Sequence, residues 1–222
     1  MSKLNEQLMD AARVGNLEEV KRLVQQGADL HADNEEALRW AASNGHFEVV
    51  KFLVEQGADI TAKDGVLIAA AVAGHLEVVK LLFEYGADIH ADDNYALRWA
   101  SNNGHLEIIK FLVEKGADIH ACDECSLQWA AMEGKIDVVK FLVGEGADIH
   151  AGNEEALKLA ASKGHLEIVD FLVEKGTPIA VAKEHGTEAV KDLCKAYELR
   201  KMLDNKLHQD TSTKTKPNKL KI

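Results

Sequence analysis

The chain has few cysteines, prolines and aromatic residues for its 222 residues, and it lacks long apolar runs. Three cysteines, an odd number, provide no disulfide framework and favour a reducing compartment. No stretch approaches the roughly 18 apolar residues that a membrane-spanning helix needs. Residues 1–15 contain no apolar segment of the secretory type. We therefore expect no membrane span and a cytoplasmic location, with the nucleus as the alternative.

Residue sets that carry catalysis or bind cofactors are also missing. Cys122 and Cys125 form a C-x-x-C pair, but no second pair stands at zinc-finger spacing. We interpret them as two thiols in a variable turn. The sequence offers no nucleophile with a matching base and no phosphate-binding glycine loop. It therefore predicts a protein that is not an enzyme, with no catalytic residue, no cofactor and no metal site.

Charge is unevenly distributed along the chain. The formal net charge is −11, yet residues 200–222 carry seven Lys or Arg against two Asp. An acidic body argues against nucleic-acid binding by the body, because phosphate contacts need clustered basic side chains. It favours a basic partner instead. Residues 204–222 lose hydrophobic periodicity, and we expect them to form a basic, disordered tail.

What the sequence does contain is an internal repeat. Gly45, Gly74, Gly104, Gly134 and Gly164 stand 29, 30, 30 and 30 residues apart. A fixed period in this range is typical of solenoids, in which stacked units bury together an apolar face that no single unit can bury alone. The pattern predicts an all-α array of stacked helix pairs.

One unit, residues 92–121, shows how each helix pair is encoded. Asp93 or Asn94 is a good N-cap for a first helix, which ends before Gly104. A second helix begins near His105, and its apolar residues recur at helical spacing on one side. Helices of about ten residues are marginal alone, so packing between units must stabilise them.

The segment GHLEIIKFLVEKGADIHA, residues 104–121, resembles the second half of an ankyrin repeat. The resemblance covers residues 4–180 and implies a protein-binding solenoid. The segment recurs at 45–62, 74–91 and 164–176 and, in weaker form, at 134–151.

The first half of each unit departs from the family pattern. Residues 36–41 and 95–100, both containing A-L-R-W-A, replace the usual T-P-L-H-x-A, and the unit is about three residues short of the usual 33. We expect the projecting β-hairpin finger to be shortened or absent. The short unit is similar to arrays of giant DNA viruses of amoebae, which would place the protein in a host cell.

The repeat divides the chain into four parts. Residues 1–33 read as an N-terminal capping repeat and residues 34–180 as five internal repeats. Residues 181–203 read as C-terminal capping helices that start near residue 177, and residues 204–222 form the tail.

The resemblance implies that a protein partner binds the inner helices and the turns that lead into them. We selected candidate residues where the units differ at matched surface positions, although surface drift explains each difference equally well. The candidates are Tyr95, Met132, Val72, Arg39, Arg98, Asn44, Asn102, Glu133, Lys63, Asp64, Asp123 and Glu124. Two alternatives stay open: an adaptor attached through its basic tail, and a self-associating structural protein that forms homo-oligomers.

Two further sets of residues recur at matched positions. The connection between units repeats a histidine, at His31, His90, His120 and His150. We expect each ring to hydrogen-bond its own turn, with metal binding or a pH response as the alternatives. The first helix repeats a tryptophan, at Trp40, Trp99 and Trp129. We favour core or half-buried positions for these rings over exposed binding anchors.

Overall fold

The computed structural model describes residues 2–61 and 65–213, with the backbone alone at residue 205 and at 207–213. These residues form fourteen α-helices, and no strand occurs among them, as the sequence predicts. The helices are α1 (Lys3–Arg13), α2 (Leu17–Gln25), α3 (Ala32–Ser43), α4 (Phe47–Glu55), α5 (Val66–Ala73), α6 (Leu76–Glu84), α7 (Ala91–Asn103), α8 (Leu106–Glu114), α9 (Ala121–Met132), α10 (Ile136–Gly144), α11 (Ala151–Lys163), α12 (Leu166–Lys175), α13 (Ile179–His185) and α14 (Glu188–Thr213).

Each unit is a pair of helices, and the pairs stack side by side. The first helices of neighbouring units pack together more extensively than the second helices do. The array therefore curves with α1, α3, α5, α7, α9 and α11 on its inner side and with α2, α4, α6, α8, α10 and α12 on its outer side. We call the two sets the inner and outer helices.

Small residues on the inner helices and larger aliphatic residues on both sets build one continuous core. Ala100 and Leu97 of α7 are fully buried, and so are Ile109 and Leu112 of α8. Burying a leucine or isoleucine contributes about 1.5–3 kcal/mol, whereas alanine lets neighbouring helices approach closely. Of the apolar stripe predicted for residues 106–113, Ile109 and Leu112 are buried, whereas Leu106 and Val113 at its ends are half-buried.

A left-handed turn takes the place of the β-hairpin finger. In α7, Asp92, Asp93 and Asn94 have φ values of 51°, 56° and 58°, and regular helix begins only at Tyr95. The expected N-cap at Asp93 or Asn94 is therefore wrong, because these residues are left-handed. Asp and Asn tolerate this conformation better than most residues do. The same turn recurs at residues 33–35, 122–124 and 152–154.

The cysteine pair lies at one of these turns. The structure joins Cys122 and Cys125 by a disulfide, with the two Cα atoms 5.3 Å apart. This differs from the interpretation of the pair as two free thiols. Cys194 of α14 is buried and remains a free thiol.

The C-terminal helix is longer than the sequence indicates. Helix α14 continues to Thr213, although we expected the last capping helix to end at residue 203 and the tail to be disordered. Residues 204–213 contain neither glycine nor proline, so nothing in them breaks a helix that is already under way. The rest of the predicted tail, residues 214–222, lies outside the described residues. Within the described chain, no helix combines the length and apolar character that crossing a membrane requires.

Candidate functional site

An aromatic cluster lies on the inner surface of the fourth and fifth units. Tyr95 and Trp99 of α7 meet edge to face with ring centroids 5.9 Å apart, and Trp99 meets Trp129 of α9 at 5.6 Å. All three side chains are half-buried. Edge-to-face pairs add about 0.5–1.5 kcal/mol beyond the area they bury. We call Tyr95, Trp99 and Trp129 the inner aromatic cluster.

Arg98 binds this cluster to the left-handed turn before it. Its guanidinium carbon lies 4.8 Å from the ring centroid of Tyr95 and 5.5 Å from that of Trp129. Its Nη2 donates to the carbonyl of Asp92 at 2.6 Å and its Nε to that of Asp93 at 3.0 Å. A left-handed turn directs carbonyls away from the helix, and Arg98 satisfies them. This candidate contact residue therefore has a structural role that sequence reasoning missed.

The same role recurs in the next unit with a neutral side chain. Gln128 occupies the position of Arg98 one unit later, and its Nε2 donates to the carbonyl of Asp123 at 2.6 Å. Arg39, also at this position, lies 3.5 Å from Glu36 and is half-buried. A long side chain with N–H donors follows each run of Asp, Asn and Glu, and this recurring pair of features is the sequence signal that could have identified the turn.

Trp40 is more exposed than the other two tryptophans because the matched position in the next unit holds a small residue. Its residue exposure is 39%, and its Nε1 donates to Glu36 at 3.1 Å. The next unit places Ala69 at the matched position, so no neighbouring ring covers the indole. Trp99 and Trp129 are half-buried, as the sequence predicts, whereas Trp40 is exposed.

The candidates at the C-terminal ends of the inner helices lie at the rim of the inner surface. Val72, Asn102 and Met132 share one matched position and are half-buried, and their side chains differ in shape and polarity. Asn44 and Glu133 follow at the helix ends and are exposed. Together with the inner aromatic cluster, these residues give the inner surface a different composition in each unit.

The candidates in the turns separate into an exposed residue, a buried one and two that cannot be placed. Asp123 is exposed, whereas Glu124 is only 3% exposed. Oε1 of Glu124 accepts hydrogen bonds from Nδ1 of His120 and from the backbone N–H of Asp148, the latter at 3.1 Å. Glu124 therefore joins two units and offers no surface to a partner. Lys63 and Asp64 lie outside the described residues.

The exposed edge formed by the turns is acidic. Each connection between units presents an exposed aspartate whose carboxylate accepts the N–H two residues later, an arrangement that rigidifies the turn. These residues are Asp29, Asp59, Asp88, Asp118 and Asp148. Asp33, Asp92, Asp93 and Asp123 add further exposed carboxylates in the left-handed turns. We call this set the acidic edge.

Three of the four histidines in the connections pair with glutamates in their own turns, as expected; His90, whose turn has Asn94 in place of the glutamate, is not among them. Nδ1 of His31, His120 and His150 donates to Glu35, Glu124 and Glu154 respectively. The hydrogen bond to the glutamate is the largest cause that raises the pKa of each histidine above its ordinary value, and nearby aspartates raise it further. Among the described residues, no three His, Cys, Asp or Glu side chains are grouped to hold a metal ion.

Glu124→Gln is expected to lower the pKa of His120 toward its ordinary value. A raised folded-state pKa means that the pair stabilises the fold fully below the ordinary histidine pKa and loses that effect as pH rises through the raised value. NMR titration of the imidazole C–H signals would measure the shift, with His31, which contacts neither Glu124 nor Asp148, in the same sample as the control. Equal pKa values of His120 in the two proteins would contradict the pairing.

A second set of histidines couples each unit to the one before it. Nε2 of His75 donates to the carbonyl of Ser43 at 3.1 Å, and Nε2 of His105 donates to that of Val72 at 2.9 Å. The carbonyls lie at the ends of inner helices, where no partner within the helix remains for them. His46 and His165 make the same contact with Arg13 and Met132.

Comparison with known proteins identifies the family. A family model described as "Ankyrin repeats (3 copies)" matches residues 5–64, 65–123, 97–182 and 127–203. The chain belongs to the ankyrin repeat family. Ankyrin repeats generally serve as protein–protein interaction modules and are typically non-enzymatic. A search of curated proteins finds no match.

A solved ankyrin structure shares the fold of this chain. The crystal structure of the human ASB11 ankyrin repeat domain superposes with a TM-score of 0.71 at 26% sequence identity. The match covers 78% of this ankyrin chain and 84% of the human one. The similarity to arrays of giant DNA viruses stays a prediction.

Proposed function

We propose that this ankyrin protein is a non-enzymatic scaffold that binds a protein partner across the inner surface of its fourth and fifth units. The observation that carries the proposal is the inner aromatic cluster, whose half-buried rings are held in place by Arg98. Binding hot spots are enriched in Trp, Tyr and Arg, which a partner covers and desolvates when it binds. Met132 and Asn102 extend the surface toward the ends of the inner helices.

The charge of the site defines the partner more closely. The acidic edge borders the inner surface, and the Arg98 guanidinium is already engaged by rings and carbonyls. A partner segment that brings Lys or Arg to the acidic edge and an apolar side chain to the aromatic cluster would match both features. Such a complex should weaken as ionic strength rises, because the edge carboxylates are exposed to solvent.

The experiment that tests the proposal is quantitative affinity capture from lysate with matched variants. Tyr95→Ala/Met132→Ala is expected to lower the amount of the captured partner at least about tenfold, which corresponds to about 1.4 kcal/mol. The control Glu107→Ala/Lys110→Ala removes an exposed ion pair on outer helix α8 and should leave capture unchanged. Equal capture by all three proteins would contradict an inner-surface site.

Deletion of residues 204–222 distinguishes this proposal from attachment through the basic tail. The scaffold proposal expects the truncated chain to keep its partner. Loss of the partner on truncation, together with full capture by Tyr95→Ala/Met132→Ala, would place binding in the C-terminal segment and leave the repeats as a spacer.

A further inference from the structure

The middle of α14 carries an apolar stripe that remains exposed among the described residues. Leu199, Met202 and Leu203 are each 61% exposed, whereas Val190 and Cys194 of the same helix are buried. Leu203 follows Cys194 by nine residues, which is about two and a half turns at 3.6 residues per turn, so the two side chains lie on opposite sides of the helix. The stripe therefore faces away from the body, and an exposed patch of this kind marks an interaction site.

Basic side chains flank this stripe. Arg200, Lys201 and Lys206 are exposed in this part of α14, where Asp204 and, from α12, Asp170 and Glu174 provide the opposing charges. Residues 200–222 together carry seven Lys or Arg and two Asp, a net +5. Subtracting that from the total of −11 leaves residues 1–199 with a net −16. The helix thus ends in a basic, apolar segment on an acidic protein, and an acidic surface with an apolar floor would complement it.

The opposite end of the array has such a surface. A groove between α1 and α3 is lined by Glu6, Met9, Asp10, Arg13, Glu36 and Trp40. Trp40 provides an exposed aromatic floor, and Arg13 is paired with Asp10 at 3.0 Å, which leaves an excess of carboxylates. We call these six residues the N-terminal groove. It combines the negative charge and the apolar surface that would complement the basic, apolar segment of α14.

The stripe and the N-terminal groove of one chain cannot meet. Five successive packing steps separate α3 from α13, and each places helix axes about 8–10 Å apart, so the two surfaces are about 40–50 Å apart. We propose that the α14 stripe of one copy docks in the N-terminal groove of a second copy. The contact joins two different surfaces, so it propagates head to tail along a row of copies unless the row closes into a ring.

This self-association goes beyond the proposed scaffold function and uses other residues. The inner aromatic cluster lies two units away from Trp40 of the N-terminal groove and belongs to neither docking surface. Each added copy would then present another inner surface to a partner, which raises the apparent affinity for a partner with repeated binding segments.

Sedimentation velocity of the full chain across a wide concentration range tests the proposal. The expected mass rises with concentration above the 24.3 kDa of one chain, and added salt reverses the rise because charge pairing contributes. Leu199→Ser/Leu203→Ser and Trp40→Ala are each expected to weaken association about tenfold or more. Circular dichroism confirms that each variant is folded, and Val14→Ser, which alters an exposed apolar residue outside both surfaces, is the matched control.

A charge exchange makes the test specific to the two surfaces. Glu6→Lys and Arg200→Glu are each expected to weaken association, and the double variant is expected to restore it, because the pairing of opposite charges is re-established. A mass of one chain at every concentration would overturn the proposal. So would association that Trp40→Ala and Glu6→Lys leave unchanged, or binding of α14 to phosphatidylserine vesicles without any self-association.

Discussion

Gly45→Ala is expected to lower the free energy of unfolding by about 3 kcal/mol. Gly45 has a φ of +75°, and left-handed backbone costs a non-glycine residue about 1–2 kcal/mol. A Cβ atom at this position would lie 2.5 Å from Nδ1 of His75. The ring must then move, and its hydrogen bond to the Ser43 carbonyl is lost at a further cost of about 1 kcal/mol.

Urea denaturation of a matched set separates the two costs. Gly57 has a φ of +99° but no atom within 4 Å of its added Cβ, so Gly57→Ala should show the backbone cost of about 1–2 kcal/mol alone. In a His75→Ala background, the loss of unfolding free energy caused by Gly45→Ala should fall to the same value. The double-mutant cycle then gives a coupling energy of about 1 kcal/mol between the two positions. Equal losses for Gly45→Ala and Gly57→Ala would show that the His75 contact is unimportant.

Arg98→Ala is expected to lower the free energy of unfolding by about 2 kcal/mol, because a hydrogen bond to a charged group contributes about 1.5–3 kcal/mol and solvent reduces that value here. The substitution leaves the carbonyls of Asp92 and Asp93 without their donor and removes the cation from the Tyr95 and Trp129 rings. Hydrogen exchange should speed up at the amides of residues 92–95.

Arg98→Lys distinguishes turn stabilisation from simple charge. A lysine ammonium cannot reproduce the two hydrogen bonds that the guanidinium donates to the carbonyls of Asp92 and Asp93. Arg98→Lys should therefore recover less than half of the unfolding free energy that Arg98→Ala loses. Gln128→Ala is the neutral counterpart and should destabilise the turn at Asp123 without changing the net charge. Full recovery by Arg98→Lys would contradict the proposed geometry.

The helix pairs could be predicted because local signals agree with one another. Leu106, Ile109 and Leu112 recur at helical spacing, and Gly104 and Gly116 separate consecutive segments. Each unit contacts only its neighbours, so one repeat along the sequence corresponds to one step along the stack. The all-α array therefore follows from the sequence without knowledge of any contact between distant residues.

The turns could not be predicted in the same way. Asp93 and Asn94 suit an N-cap as well as a left-handed turn, and local sequence does not choose between them. The outcome depends on Arg98 and on the N–H of Asp118, which Asn94 binds across 24 residues at 2.9 Å. The sequence indicates a surface position for Glu124, because a carboxylate is seldom buried unless paired. Its partners come from its own turn and from the next unit.

Exposure of the tryptophans also depends on what the neighbouring unit places beside them. Trp99 packs against Trp129, whereas Trp40 meets the small Ala69 position. The length of α14 was underestimated because residues 204–213 lack apolar periodicity, although a helix can continue through polar residues once its first turns are packed. Hydrophobic periodicity detects amphipathic helices, and the sequence of residues 204–213 contains no such pattern.

Photo-crosslinking from the inner surface tests the central claim most directly. In one variant, a benzophenone amino acid replaces Asn102, whose matched positions in the neighbouring units are Val72 and Met132. In the other variant, it replaces Lys110 on outer helix α8. Neither substitution alters a buried side chain, so both proteins should fold. We expect the partner captured from lysate to form a covalent adduct with the protein modified at position 102 and none with the protein modified at position 110. Adducts formed from position 110 alone would contradict an inner binding surface.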